Sequence, residues 1–417
     1  MVDRVFRMGL GLLVGVWVAR YLGPAQYGSL NFAVAFTTIF ATLTTLGLDG
    51  IVVRELIQEP ASAPEILGTT LSLRIASSIL ATGIVIGLIE WISSNDAVSR
   101  LLVIISSFGI VFQALDTIDL FFQSQVRSRL TVWAKNLAFA VIAAVRVYLI
   151  HIRAPLWTFA AAPAVEFVLG ALGLLLAYRL TGGQIHTWRW RSARAVDLLR
   201  QGWPMILAGM AIMIYMRIDT VMLKLMSGDA SAGLYAAATR ISEVWYFIPA
   251  AIVSSVSPAI YRSKANPRLY RDRMQRLFSI MVVISVTIGS AVAEASPWVV
   301  HRLYADSYRG AAPVLAVHVW ASVFVFLGLA QSPWNLAEDL LKLTLFRTTA
   351  GAVANVALNV VLIPKYAAMG AAWATVISYA VSGTLANAFD ARTRPMFFLQ
   401  LRSFYPDALW RRSGSPE

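Results

Sequence analysis

The chain has no cysteine in 417 residues, which excludes a disulfide framework and a thiolate metal site. Histidine is nearly as scarce: His151, His186, His301 and His318 fall in separate segments without ligand spacing, so no metal centre is expected. No glycine-rich loop ends in Lys-Ser or Lys-Thr, which argues against a built-in nucleotide-driven motor. Polar segments are short, with room for no large extramembrane domain. No catalytic constellation stands out, so neither an enzyme nor a cofactor is expected.

Charge is the other scarcity. Only 14% of residues are charged while 58% are hydrophobic, and the mean hydropathy is +0.67, a composition that no water-soluble surface of this size tolerates. The apolar runs are of membrane-spanning length and lack the alternation of an outer-membrane barrel, so the chain reads as an all-α polytopic membrane protein. Twelve spans are predicted, at 5–22, 27–48, 69–92, 101–121, 131–150, 156–178, 203–226, 233–257, 277–300, 313–334, 343–363 and 367–389. The net charge of +13 would suggest nucleic acid in a soluble protein. Here it follows topology: twenty-four Lys and Arg fall at the ends shared with both termini and seven at the opposite ends, which puts both termini in the cytoplasm. The start, Met1-Val2-Asp3-Arg4 with Arg7, outlines a signal peptide, but Trp17 and Val18 before Ala19 make a poor cleavage site. A retained first helix is expected, beginning so abruptly that the natural start is expected to lie upstream.

The stretch 203–258 organises the rest. Its two apolar runs join at Ser227-Gly228-Asp229-Ala230-Ser231 and read as an antiparallel hairpin in which residue numbers summing to about 460 lie level. Asp219 then faces Arg240, and Arg217 faces Glu243, at about mid-depth of a ~30 Å hydrocarbon layer. A charge there costs about 2.5–3.5 kcal/mol, so it is read as functional by default. Interhelical salt bridges and a solvated, substrate-facing cavity are compatible readings of these pairs. Tyr215 shares a face with Asp219, and Arg240 with Glu243. Elsewhere, Arg146 and Glu166 lie on neighbouring antiparallel spans and can pair. Asp116 and Asp119 share a face near the cytoplasmic end of the fourth span, while Arg74 and Glu90 sit close enough to span ends to snorkel.

A duplication is visible. Gly23, Gly28, Leu30 and Ala33 match Gly228, Gly233, Tyr235 and Ala238 at an offset of 205, and Leu101–Ile150 aligns without a gap on Val314–Ile363 at an offset of 213. Two lobes of six spans are expected, in the same orientation and related by a pseudo-two-fold axis along the membrane normal, with the pathway between them. The lobes are 1–180 and 203–390, joined by a cytoplasmic linker over 181–202 and followed by a basic tail over 391–417. Alternating Trp188-Arg189-Trp190-Arg191 places the linker in the headgroup region, its guanidiniums reaching lipid phosphates. A second basic loop carries Arg262, Lys264, Arg268, Arg271, Arg273 and Arg276. The tail carries Arg392, Arg394, Arg402, Arg411 and Arg412 around an interfacial Met396–Leu401.

Several short segments, in order, resemble the prokaryotic polysaccharide or O-antigen flippases, of the superfamily that also holds the multidrug and toxin extrusion (MATE) exporters. They are Ala19–Gly28, Arg217-Ile218-Asp219 with Gly233–Ala238, Leu303–Tyr308, Asn359–Tyr366 and Gly370–Thr375. Ala305 and Ala368 depart from this pattern, standing where glycine is commoner. The resemblance implies a MATE-like, two-lobed transporter that turns a lipid-linked oligosaccharide from the cytoplasmic to the outer leaflet by alternating access. Its partners would be the polyprenyl-linked saccharide, membrane lipids, and the polymerase and glycosyltransferases of the same pathway, with no nucleic acid. Arginine suits a diphosphate headgroup through its fork of donors. Arg217, Arg240 and Arg146, with Tyr215, are the substrate-binding candidates. Asp219, Glu243, Glu166 and Asp116 are charge partners or proton-coupling candidates. A cation-coupled multidrug exporter of the same fold and a membrane-embedded polysaccharide polymerase are the alternatives.

Overall fold

The computed structural model describes residues 2–127 and 129–405, which form helices and short turns. Two compact units divide at Val221 and Met222, inside the seventh apolar run, so residues 203–221 cluster with the first unit, Gly9–Val221. That unit draws on α1 (Val2–Thr45), α2 (Asp49–Gln58), α3 (Ala63–Ile92), α4 (Ala97–Phe112), α5 (Thr117–Ser124), α6 (Arg129–His151), α7 (Leu156–Leu180) and the first part of α8 (Ser192–Ser242). The second holds the rest of α8, α9 (Phe247–Arg262), α10 (Pro267–Tyr304), α11 (Ala311–His318), α12 (Ala321–Ala330), α13 (Ser332–Ala337), α14 (Leu341–Gly383) and α15 (Arg394–Arg402).

Among the described residues, nine helical stretches are long and apolar enough to cross a membrane. Three of them, of 52, 71 and 47 residues, carry a non-helical residue within a merged helix, at Gly23, Gly228 and Ala367 respectively. Each of these supplies two crossings, so the nine stretches make twelve. The protein is a multi-pass, all-helical membrane protein. Leu80, Phe108, Leu137 and Leu172 are exposed on its helices, as acyl-chain contact requires.

The breaks explain how so long a helix reverses without a loop. Gly23 (φ 71, ψ 170) and Gly228 (φ 83, ψ 175) share one backbone conformation, 205 residues apart as the duplication predicts. The turn expected over 227–231 contracts to one residue, because helix resumes at Asp229, where the carboxylate receives Lys224 across the break. The centre of that hairpin therefore lies nearer 228 than 230. In α14 the antiparallel register is explicit. A Cβ on Gly370 would meet the Leu362 carbonyl oxygen at 2.3 Å, and Asn355 Nδ2 donates to Ser378 Oγ at 3.3 Å. Only glycine lets those backbones approach so closely.

Ala305 adopts the same conformation as the two glycines, φ 65 and ψ −172, at the end of α10. That region is nearly glycine-only and costs a side-chain-bearing residue about 1–3 kcal/mol. The neighbouring Asp306 accepts from Arg309 Nε at 2.9 Å and from His301 Nδ1 at 3.1 Å. Arg309 holds its carboxyl below the usual carboxylate range. Ala305→Gly is expected to stabilise the protein by about 1 kcal/mol, read as a higher unfolding temperature in detergent. An unchanged or lower temperature would mean the alanine carries no strain.

Within the first unit, α6 packs on α7, and α7 and α3 on α4. Gly173 lies against Ala134 and Gly109 against Ala164, close approaches that small residues permit. The linker expected in the headgroup region is anchored to this unit. Arg189 N donates to Pro64 O at 2.9 Å, and Trp188 Nε1 donates to Tyr178 Oη at 2.9 Å. Arg194 is gripped by Glu55, Glu59 and Glu65 at 2.7–2.9 Å, and Arg191 joins Glu65 at 3.1 Å. Carboxylates of α2 and α3 and of the turn between them thus hold two of its guanidiniums, while Arg189 and Trp190 stay exposed. In the second unit, α10 packs on α11, α12 and α15, and α14 on α11 and α12. Met396 and Leu399 of α15 are buried in the core around Phe278 and Phe326, and Phe398 and Leu401 point outward. Arg411 and Arg412 of the tail lie outside the described residues.

Candidate functional site

The eight side chains singled out from the sequence distribute over both units. Tyr215, Arg217 and Asp219 lie on α8 ahead of the Gly228 break; Asp219 is only 4% exposed, the other two half-buried. Arg217 stands eleven residues before Gly228, about 16 Å along the axis by helix rise. Arg240, twelve residues after Gly228 in the last turn of α8, is half-buried. Glu243 opens a 3₁₀ turn, Glu243–Tyr246, that interrupts the eighth span. Such mid-span tightening often marks a hinge. Asp116 closes a similar turn, Gln113–Asp116, in the fourth span.

Arg146 on α6 and Glu166 on α7 are half-buried. The contact of Gly173 with Ala134 fixes the antiparallel register of these helices. It leaves Arg146 and Glu166 about 7 Å apart along the axis, within the combined reach of their side chains. Asp116 is placed with Asp119 on Lys135, at 2.9 and 2.8 Å, which ties the fourth span to the fifth. None of Tyr215, Arg217, Asp219, Arg240, Glu243, Arg146 and Glu166 is without an interaction partner, as expected of polar groups in an apolar layer.

The model of the family described as "Polysaccharide biosynthesis protein" matches residues 2–264. The chain belongs to that family. A curated relative, "Probable flippase AglR" of Haloferax volcanii, is 26% identical over 227 residues, which are 52% of this chain and 45% of the relative. The match thus spans a little under half the length of that relative. Among solved structures, the chain is 16% identical to a lipid II flippase MurJ in an inward closed conformation, covering 97% of this chain and 90% of that one with a TM-score of 0.73. It is 14% identical to an inward-facing multidrug resistance MATE family transporter of the MOP superfamily, covering 98% and 96%, with a TM-score of 0.75. These likenesses establish the MATE-like fold.

This polysaccharide biosynthesis family protein also holds charged and polar groups that sequence reasoning passed over. Arg74 was expected to snorkel, yet it is 1% exposed and its guanidinium donates to Asp49 at the start of α2. A short helix covers the span end and supplies the carboxylate, so the guanidinium meets protein there. Glu90 does lie at a wet end, paired with Arg100 at 2.8 Å. The second unit contains a column of buried uncharged groups. Ser242 Oγ meets His318 Nδ1 at 2.7 Å, Tyr235 Oη meets Thr375 Oγ1 at 2.9 Å, and Asn359 Nδ2 donates to Asn355 Oδ1 at 3.1 Å. Charge counting finds none of these, and their signal in the sequence is only scattered amides and hydroxyls within apolar runs.

Proposed function

We propose that this protein turns a polyprenyl-diphosphate-linked oligosaccharide from the cytoplasmic to the outer leaflet by alternating access, for cell-surface polysaccharide synthesis. The reading is carried by the family match over residues 2–264 on a chain that sets half-buried Arg146, Arg217 and Arg240 inside apolar spans. A diphosphate headgroup loses hydration on entering the bilayer, and guanidinium forks replace it with charge-assisted hydrogen bonds. Asp219 and Glu243 hold those arginines in place, or take protons where transport is coupled to a gradient. Three arginines set within apolar spans favour an anionic headgroup over a cationic drug. Glycosyltransferases and a polymerase supply and consume the substrate on opposite sides of the membrane.

The test is a liposome assay with a fluorescent polyprenyl-diphosphate saccharide and a membrane-impermeant quencher. Protein-dependent loss of the protected fraction is expected; transport of cationic dyes with no effect on the lipid would overturn the reading. The surplus of Lys and Arg at the ends shared with both termini supports a cytoplasmic location for them. Reporter fusions at the N-terminus and after Tyr405 are therefore expected to behave as cytoplasmic, and one within 305–310 as external. The reverse pattern would invert the direction of transport.

A further inference from the structure

Each half carries a cation near the start of its equivalent helix, one residue apart in register, and surrounds it differently. Lys135 lies six residues into α6 and rests on two carboxylates, Asp116 and Asp119, at 2.9 and 2.8 Å. The 213-residue offset carries Ala134 and Lys135 onto Arg347 and Thr348, and Arg347 likewise lies six residues into its helix, α14. Here the neighbours are amides. Arg347 Nη1 donates to Asn387 Oδ1, and Asn387 Nδ2 donates to Gln331 Oε1 at 2.9 Å and Gln400 Oε1 at 3.1 Å. Gln400 Nε2 closes the ring on Gln331 Oε1 at 3.1 Å, and Gln331 Nε2 donates to Asn387 Oδ1 at 3.0 Å.

Arg347 is 7% exposed, and among the described residues no carboxylate pairs with it and its Nε has no partner. A desolvated guanidinium without a counter-charge costs several kcal/mol, which a bound anion removes. With Nη1 committed to Asn387, the Nε and Nη2 edge is left, and that edge matches two oxygens of a phosphate. The residues flanking the ring are apolar and exposed: Phe346, Leu385, Phe389 and Phe398. A soluble anion has no use for such a rim, whereas acyl chains do.

We propose that Arg347, framed by Asn387, Gln331 and Gln400, binds the phosphate of an anionic membrane lipid at this end of the second unit. The site is independent of the transported substrate. It supplies from outside the negative charge that Asp116 and Asp119 supply to Lys135 in the first half.

The test uses the full chain, delipidated in detergent, with thermal unfolding and native mass spectrometry as readouts. Phosphatidylglycerol is expected to raise the unfolding temperature saturably and to remain bound, with phosphatidylcholine ineffective. Arg347→Gln should weaken that binding by about tenfold or more, the loss of a charge-assisted pair. Asn387→Asp provides a fixed carboxylate, so it should keep the fold and lose the lipid response; it carries the test if Arg347→Gln fails to accumulate. Equal phosphatidylglycerol binding by the parent and Asn387→Asp, or equal effects of the two lipids, would overturn the site. Protection by inorganic phosphate as strong as that by the lipid would overturn the lipid assignment in favour of a soluble anion.

Discussion

Arg217→Ala and Arg240→Ala are each expected to cut headgroup translocation by about 10–100-fold, the value of one charge-assisted hydrogen bond of about 1.5–3 kcal/mol to a phosphate in a dry layer. Insertion and yield should stay close to the parent's, because the twelve apolar runs that direct insertion are unchanged. Lysine at either position should recover only part of the rate, since an ammonium offers a point charge where a guanidinium offers a planar fork. The liposome assay reads both outcomes. Parent-like flipping by both alanine variants would refute the assignment. A fall in rate that tracks a fall in unfolding temperature would reassign the two arginines to structural pairing.

The second large effect is on stability. Asp49→Ala is expected to cost about 3–5 kcal/mol, because it strands the Arg74 guanidinium, 1% exposed, without the one carboxylate that pairs with it among the described residues. Arg74→Met should cost less, since it removes the buried charge itself and leaves an Asp49 side chain that is already 61% exposed. The ordering matters more than either value. Thermal unfolding of the two variants in one detergent checks it, and an Asp49→Ala protein as stable as Arg74→Met would show that water reaches Arg74.

Arg74, expected from the sequence to snorkel, and Arg347, which the sequence did not single out, lie near span ends, where a long side chain ordinarily reaches water. Whether it can depends on what covers the end. Here α2 covers one, and α15 and the turn before it cover the other, so each guanidinium meets protein. The Trp-Arg alternation gave no sign of the partners of its neighbourhood: Glu55, Glu59 and Glu65, 126 to 139 residues away in sequence, lie within ion-pair distance of Arg191 and Arg194. The hairpin turn was located correctly, yet its centre shifted because one glycine at positive φ reverses a helix that a five-residue loop was expected to reverse. The departure noted at Ala305 was informative, since the backbone there adopts the glycine conformation.

The sequence by itself determined that the chain crosses a membrane about twelve times, as helices, in two similar halves. Those properties follow from the bilayer's thickness and from the need to satisfy each backbone hydrogen bond within a segment, which act on local composition. Only the tertiary structure decided which cations are neutralised, by what, and which are left with amides. Pairing is set by residues more than a hundred positions apart along the chain or on short covering helices, and no local pattern encodes that proximity.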